Sequence, residues 1–206
     1  MNVLLINGSP RKEGCTFTAL SEVAGRLNAN GVETNIFQIG KEPVQDCVAC
    51  HVCRDTGYCV FKSDRLNECV DLLKRADGLV VGSPVYYGGP TGAICAFLDR
   101  LFFFKSASYA HKPAAAVVSC RRAGSTAALD RLNKYFTLSC MPVVTSQYWN
   151  MVHGHTPDEV RQDLEGLQTM RTLGNNMAWL LKCIDAAKGS VPYPEQEERV
   201  GTNFIR

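Results

Sequence analysis

The chain has 206 residues, 46% of them apolar and 20% charged, which is globular composition rather than disordered or fibrous. Its 22 basic and 20 acidic residues leave a formal charge of +2 and no long basic run, arguing against nucleic-acid binding driven by phosphate neutralisation. No stretch approaches the ~18 apolar residues of a membrane span, and the apolar run 3–6 is too short for a signal-peptide core. The length suits one domain over 1–206. A cytoplasmic location is expected, where the ten cysteines serve as thiols for metal or redox use rather than as disulfides.

Short apolar runs recur between longer helical patterns. Val3–Ile6, Leu79–Val81, Ala114–Val118 and Val143–Thr145 are continuous, mostly β-branched, and bounded by Gly, Pro or Ser. Strands buried on both faces of a parallel sheet read this way. Val32–Ile36 alternates instead, as a half-exposed edge strand does. Helical spacing places Phe17, Leu20, Val23 and Leu27 on one helix, with Gly31 as its stop. Leu66, Val70 and Leu73 mark a second helix. Ala93, Ala96, Phe97 and Leu101 mark a third, and 127–138 a fourth. Thr156-Pro157-Asp158-Glu159 opens a last helix with an N-cap, a first-position proline and a glutamate three residues on. Its apolar stripe runs from Val160 to Ile184, and the tail 189–206 reads as extended. Five strands alternating with helices predict a doubly wound α/β sheet. The connection from Gln38 to Asp64 is too long for that rhythm and is expected to carry function.

Ligands of such sheets bind beyond the carboxyl ends of the strands. Three loops are candidates there. After strand 1, Ser9, Arg11, Gly14, Cys15 and Thr16 bring hydroxyls, a guanidinium and close backbone to a helix start, which suits a phosphate. Neither G-x-x-x-x-G-K-[ST] nor G-x-G-x-x-G is present, so nucleoside-triphosphate and dinucleotide loops are absent. After strand 3, Pro84, Val85, Tyr86, Tyr87 and Gly88 form a stiff segment with adjacent tyrosines. It is either the wall of a planar ring ligand or a turn whose tyrosines pack on the core. After strand 4, Ser119, Arg121, Arg122 and Gly124 add small residues and two guanidinium groups. All three loops at one sheet edge favour a phosphate-bearing aromatic cofactor.

Asn7-Gly8-Ser9-Pro10-Arg11 with Gly14 and Thr16, then Ser83-Pro84-Val85-Tyr86-Tyr87-Gly88, and Ala96-Phe97-Leu98-Asp99-Arg100 resemble the flavodoxin-like NADPH-dependent FMN reductases. The resemblance runs from residue 1 to about 150. It implies a flavodoxin-like sheet of order 2-1-3-4-5, with FMN phosphate on residues 9–16 and the isoalloxazine ring against 84–88, assisted by 119–124. It also implies NAD(P)H or a reduced ferredoxin-like donor, a small-molecule or redox-protein partner, and a homodimer or homotetramer. Cys15 stands where a small polar residue is expected and reads as incidental. A thiol at a helix N-terminus can nonetheless acquire a depressed pKa.

The insert after strand 2 contains Cys47, Cys50, Cys53 and Cys59, spaced C-x2-C-x2-C-x5-C. Such spacing lets a tight loop wrap an iron–sulfur centre. Four thiolates also suit zinc, and free thiols are a third reading. The motif is similar to the compact one of the iron–sulfur flavoproteins, a branch of the same family, which implies a 4Fe–4S cluster on those four ligands. His51 reads as a spacer within it. Cys69, Cys95, Cys120, Cys140 and Cys183 read as small core residues. His153 and His155 read as exposed loop residues, and Tyr148 and Trp149 as core. The expected activity is electron transfer through FMN. Two alternatives are an electron carrier with FMN and a cluster, and an FMN protein with a structural zinc loop.

Overall fold

The computed structural model describes residues 1–103, 106–195, 197–198 and 200–202. Strand β1 (Asn2–Asn7) leads into α1 (Cys15–Ala29) and then β2 (Glu33–Gln38). The cysteine insert follows and contains one short helix, α2 (Val52–Thr56). Next come α3 (Leu66–Arg75), β3 (Gly78–Pro84), α4 (Gly92–Phe103), β4 (Ala114–Cys120) and α5 (Ser125–Leu138). The chain continues with β5 (Met151–His153), α6 (Pro157–Gln162) and α7 (Leu164–Ala187). All neighbouring strands pair in parallel, in the expected order β2-β1-β3-β4-β5.

Side chains of a strand alternate between faces, so each central strand supplies two cores. Leu4, Ile6, Leu79, Val81, Ala116 and Val118 pack with α3, α4 and α5 through Leu73, Phe97, Leu101 and Phe136. Val3, Leu5, Val80, Ala115 and Val117 pack with α1 and α7 through Leu20, Val23, Met170 and Leu173. This double burial explains why β1, β3 and β4 read as unbroken apolar runs. The alternation in β2 places it at the edge.

Several expectations are corrected. Val143–Thr145 is not the fifth strand. Val143 makes only an isolated bridge to Ala114, while Met151–His153 pairs with Val118–Cys120. Both segments therefore run along β4, one near its start and one at its end. The last helix is two helices, because Asp163 (φ −75°, ψ 79°) leaves helical geometry. Its carboxylate accepts from the Gly166 N–H at 2.9 Å and the His153 N–H at 2.6 Å. Ala93 of α4 is exposed, and the buried stripe is Ile94, Phe97, Leu98 and Leu101. Cys140 and Cys183 are exposed and Cys95 is half-buried, so only Cys69 and Cys120 of the scattered five are core. Tyr148 and Trp149 are exposed rather than packed inside. The tail is exposed along 189–195, yet Tyr193 stacks on His111 at 5.0 Å. Residues 196, 199 and 203–206 of the predicted tail lie outside the described residues.

The end of α3 is closed by a lysine from a different layer. Lys112 Nζ donates to the carbonyls of Leu73 (2.9 Å), Lys74 (3.1 Å) and Ala76 (2.5 Å). Carbonyls at a helix end lack the i+4 donor of the interior, and Leu73 O otherwise receives the long contact from the Ala76 N–H at 3.3 Å. Lys112→Met is expected to cost about 1–3 kcal/mol, read as a lowered midpoint in thermal unfolding. An unchanged midpoint would mean that water replaces the lysine without loss.

Candidate functional site

The loops after β1, β3, β4 and β5 are bonded to one another at the carboxyl edge of the sheet. The Gly8 N–H donates to Gly82 O at 2.8 Å, and Thr91 Oγ1 donates to Gly8 O at 3.1 Å. A Cβ on Gly8 would lie 2.8 Å from Gly82 O, so only glycine permits that approach. The Val85 N–H donates to Ser119 O at 2.9 Å, and the hydroxyls of Thr16 and Ser119 lie 2.8 Å apart. The Gly154 N–H donates to Cys120 O at 3.0 Å.

These bonds frame a cleft of about 200 Å³. Ser9, Arg11, Cys15 and Thr16 line one side. Pro84, Val85 and Tyr86 line another, and Ser119 and Arg121 also line the cleft. Five other predicted positions do not line it. Gly14 is the N-cap of α1. Tyr87 is fully exposed, at the tip of a turn in which Tyr87 and Gly88 both have positive φ (49° and 80°) and Tyr86 pairs with Gly89. Tyr86 is itself 52% exposed, so neither tyrosine packs in the core. Arg122 is exposed. Gly124 caps α5 and lies against Gly88.

Cys120, Gly154 and His155 also line the cleft, and sequence reasoning missed all three. With the fifth strand placed at 143–145, the turn after 153 fell outside the sheet edge. The signal available was the Gly154 position just before the Thr156 cap.

No side chain caps α1. The first N–H groups of a helix have no intrahelical acceptor, and the helix dipole is positive at that end. An anion therefore fits beside Arg11, Ser9 and Thr16, and a flat ring fits along Pro84–Tyr86. The residues present suit FMN. Cys15 is not activated by its position. Burial pushes its thiol up, outweighing its backbone amide and Arg11, and Cys15 Sγ donates to Gly154 O at 3.8 Å.

The cysteine insert lines a separate cavity. Cys47, Cys50, Cys53 and Cys59 line one small cavity with Val48, Val60, Phe61 and Phe103. All ten cysteines are free thiols. His51 lines the same cavity and sits 5.6 Å from the Phe103 ring. It has a positive φ of 63° and precedes α2, so it shapes the loop. Burial pushes the Cys53 thiol up, and Cys50, Cys59 and Cys47 reinforce this. Beside Cys59 lies Arg100, whose side chain is 2% exposed and paired with Asp64. Burial pulls its guanidinium down, but Asp64 and Cys59 outweigh this and hold it above its ordinary value. The thiol set fits the chemistry of an iron–sulfur cluster. Among the described residues, however, no group of three His, Cys, Asp or Glu is drawn close enough to hold a metal ion.

No helix among the described residues is long and apolar enough to cross a membrane. An iron–sulfur flavoprotein of Methanocaldococcus jannaschii is 30% identical over 192 residues, covering 89% of this chain and 99% of that protein. An iron–sulfur flavoprotein of Methanosarcina thermophila is 29% identical over 191 residues, covering 89% of this chain and 97% of that protein. Among solved structures, RosB with a bound 8-demethyl-8-formylriboflavin-5'-phosphate aligns with a TM-score of 0.72 at 15% identity, covering 100% of this chain and 94% of that one. At that identity the likeness shows the fold alone. The family model for NADPH-dependent FMN reductase matches residues 1–156. The chain thus belongs to the NADPH-dependent FMN reductase family and to its iron–sulfur flavoprotein members, and is an FMN-binding oxidoreductase.

Proposed function

We propose that the cleft at the carboxyl edge of the sheet holds FMN, and that electrons reach it from NAD(P)H or from a reduced ferredoxin-like protein. The observation that carries this reading is the uncapped start of α1, which lines the same cleft as Pro84–Tyr86 and Ser119. Ser9, Arg11, Thr16 and the N–H groups after Gly14 bind the phosphate. Pro84, Val85 and Tyr86 bear on the ring, and Tyr87 and Gly88 form the turn that carries Tyr86. Ser119 and Arg121 complete the lining, Gly124 sets that loop, and Arg122 adds positive charge at the rim. FMN, when bound, accepts a hydride and releases electrons singly or in pairs. The protein's part is to orient the ring and leave one face open.

The same reading gives Cys47, Cys50, Cys53 and Cys59 a 4Fe–4S cluster, supported by the spacing, the shared cavity and the iron–sulfur flavoprotein relatives. Ten free thiols support a reducing, cytoplasmic setting. Exposed Tyr148, Trp149 and Trp179 support a homodimer or homotetramer, which light scattering after gel filtration would test.

Arg11→Gln tests the cofactor reading. It is expected to weaken FMN binding about tenfold, the loss of one charge-assisted contact, and to leave riboflavin binding unchanged. Quenching of flavin fluorescence measures both. Equal losses for FMN and riboflavin would remove the phosphate from this loop. Failure to bind FMN at all would sink the whole reading.

The cysteine insert favours a second reading, in which the protein carries electrons and has no dedicated substrate pocket, because a cluster moves electrons singly. Steady-state NADPH oxidation with soluble acceptors separates the two, because a pure carrier turns over negligibly. Iron, sulfide and zinc analysis of anaerobically purified protein separates the cluster from a structural zinc loop.

A further inference from the structure

Arg100 approaches the insert from the helix beneath it. Its Nε and Nη2 lie 3.3 and 3.2 Å from Cys59 Sγ, so the guanidinium fork donates twice to one sulfur. Nη1 donates to Gln45 O at 3.0 Å, and Nη1 and Nη2 both donate to the Asp64 carboxylate. One buried cation therefore ties together the start of the insert, its last cysteine and its exit. The Cys59 backbone is held as well. Its N–H donates to Asn67 Oδ1 at 2.8 Å, and Asn67 Nδ2 donates to Cys59 O at 3.0 Å. The other three are held differently: Cys50 is exposed, the Cys47 N–H donates to its neighbour Asp46 at 2.7 Å, and Cys53 is buried in α2, where its carbonyl accepts from the Gly57 N–H at 3.0 Å.

We propose that Arg100 is the positioning residue of the cysteine centre, presetting Cys59 as the anchor around which Cys47, Cys50 and Cys53 close on the iron–sulfur cluster. This rests on the cluster reading given above. It adds that the four ligands are not equivalent, and that a residue outside the cysteine motif sets both the retention and the potential of the centre. Hydrogen bonds to cluster sulfurs and net local charge are established determinants of cluster potential. A buried guanidinium that donates to one ligand sulfur supplies both.

The test uses the full chain, reconstituted anaerobically with ferrous iron and sulfide, as parent and as Arg100→Lys, Arg100→Gln and Asp64→Asn variants. Lysine keeps the charge but cannot form the fork. Both Arg100 variants are expected to lose iron to a chelator about tenfold faster, the effect of one charge-assisted hydrogen bond. The midpoint potential of the cluster is expected to fall in Arg100→Gln, where a positive charge is lost. It is expected to rise in Asp64→Asn, where the same charge loses its counter-ion. Arg100→Lys retains the Asp64 pair and guards against misfolding as an explanation.

A purely structural ion pair predicts something different. Lysine would restore parent iron retention, and the Arg100→Gln and Asp64→Asn potentials would move together or not at all. Those results overturn the anchor role while leaving the cluster in place. A parent chain that takes up no iron overturns the cluster reading itself, and the anchor role with it.

Discussion

Asp64→Ala is expected to destabilise the protein by about 3–5 kcal/mol, because it strands a buried guanidinium without its counter-charge. The side chains of Arg100 and Asp64 are 2% and 4% exposed, so water cannot replace the lost carboxylate. Gln45 O and Cys59 Sγ remain as partners of Arg100, which places the loss toward the lower end of that range. For a chain of this length about 3 kcal/mol corresponds to a fall in melting temperature of roughly 10 °C. Asp64→Asn keeps an acceptor and is expected to cost less. The double variant Asp64→Leu/Arg100→Met removes both charges together and is expected to recover most of the stability, since the penalty lies in the unpaired ion. Calorimetry on the four proteins checks this. An Asp64→Ala variant within 1 kcal/mol of the parent would show that the site admits water.

Gly124→Ala is expected to damage flavin binding more than stability. Gly124 has a φ of +85°, and a Cβ there would lie 2.7 Å from Gly88 Cα and 3.1 Å from Val85 Cγ1. The left-handed backbone costs a non-glycine residue about 1–2 kcal/mol. The backbone contact also cannot be relieved by a rotamer change. The loops after β3 and β4 must move apart, and the cleft lies between them. FMN affinity is expected to drop at least about tenfold, as one or more hydrogen bonds to the cofactor lose their geometry, while α5 and the core below remain folded. Flavin titration alongside far-ultraviolet circular dichroism separates the two effects. Unchanged affinity would mean that the two loops act independently.

Much of this site was legible because parallel strands bury both faces. Val3–Ile6, Leu79–Val81 and Ala114–Val118 declare themselves by composition, and the loops that follow them are then located by counting. The fifth strand was not legible. Val143 and Val144 carry stronger β preference than Met151-Val152-His153, and only the register along β4 decides between them. Placing that strand at 143–145 hid Gly154 and His155, which belong to the cleft. The cysteine motif was legible as a donor set, whereas its support was not. A charged residue on a helix is ordinarily solvated, and nothing local to Arg100 reveals that Asp64, 36 residues earlier, meets it inside the protein. Tyr86 and Tyr87 left two readings open because exposure depends on the positive φ of Tyr87 and Gly88, which aromatic composition does not encode.

Helix α4 begins beside the carboxyl edge of the sheet and ends under the thiols. Thr91, just before its first residue, bonds to Gly8 in the loop after β1 and to Ser83 near the end of β3, and Arg100 grips Cys59. Nine residues at the α-helical rise put about 14 Å between these two attachments. The helix is therefore a ruler. The spacing between the loops at the sheet edge and Cys59 is thus set by a rigid rod, and adding a turn to α4 changes it at once.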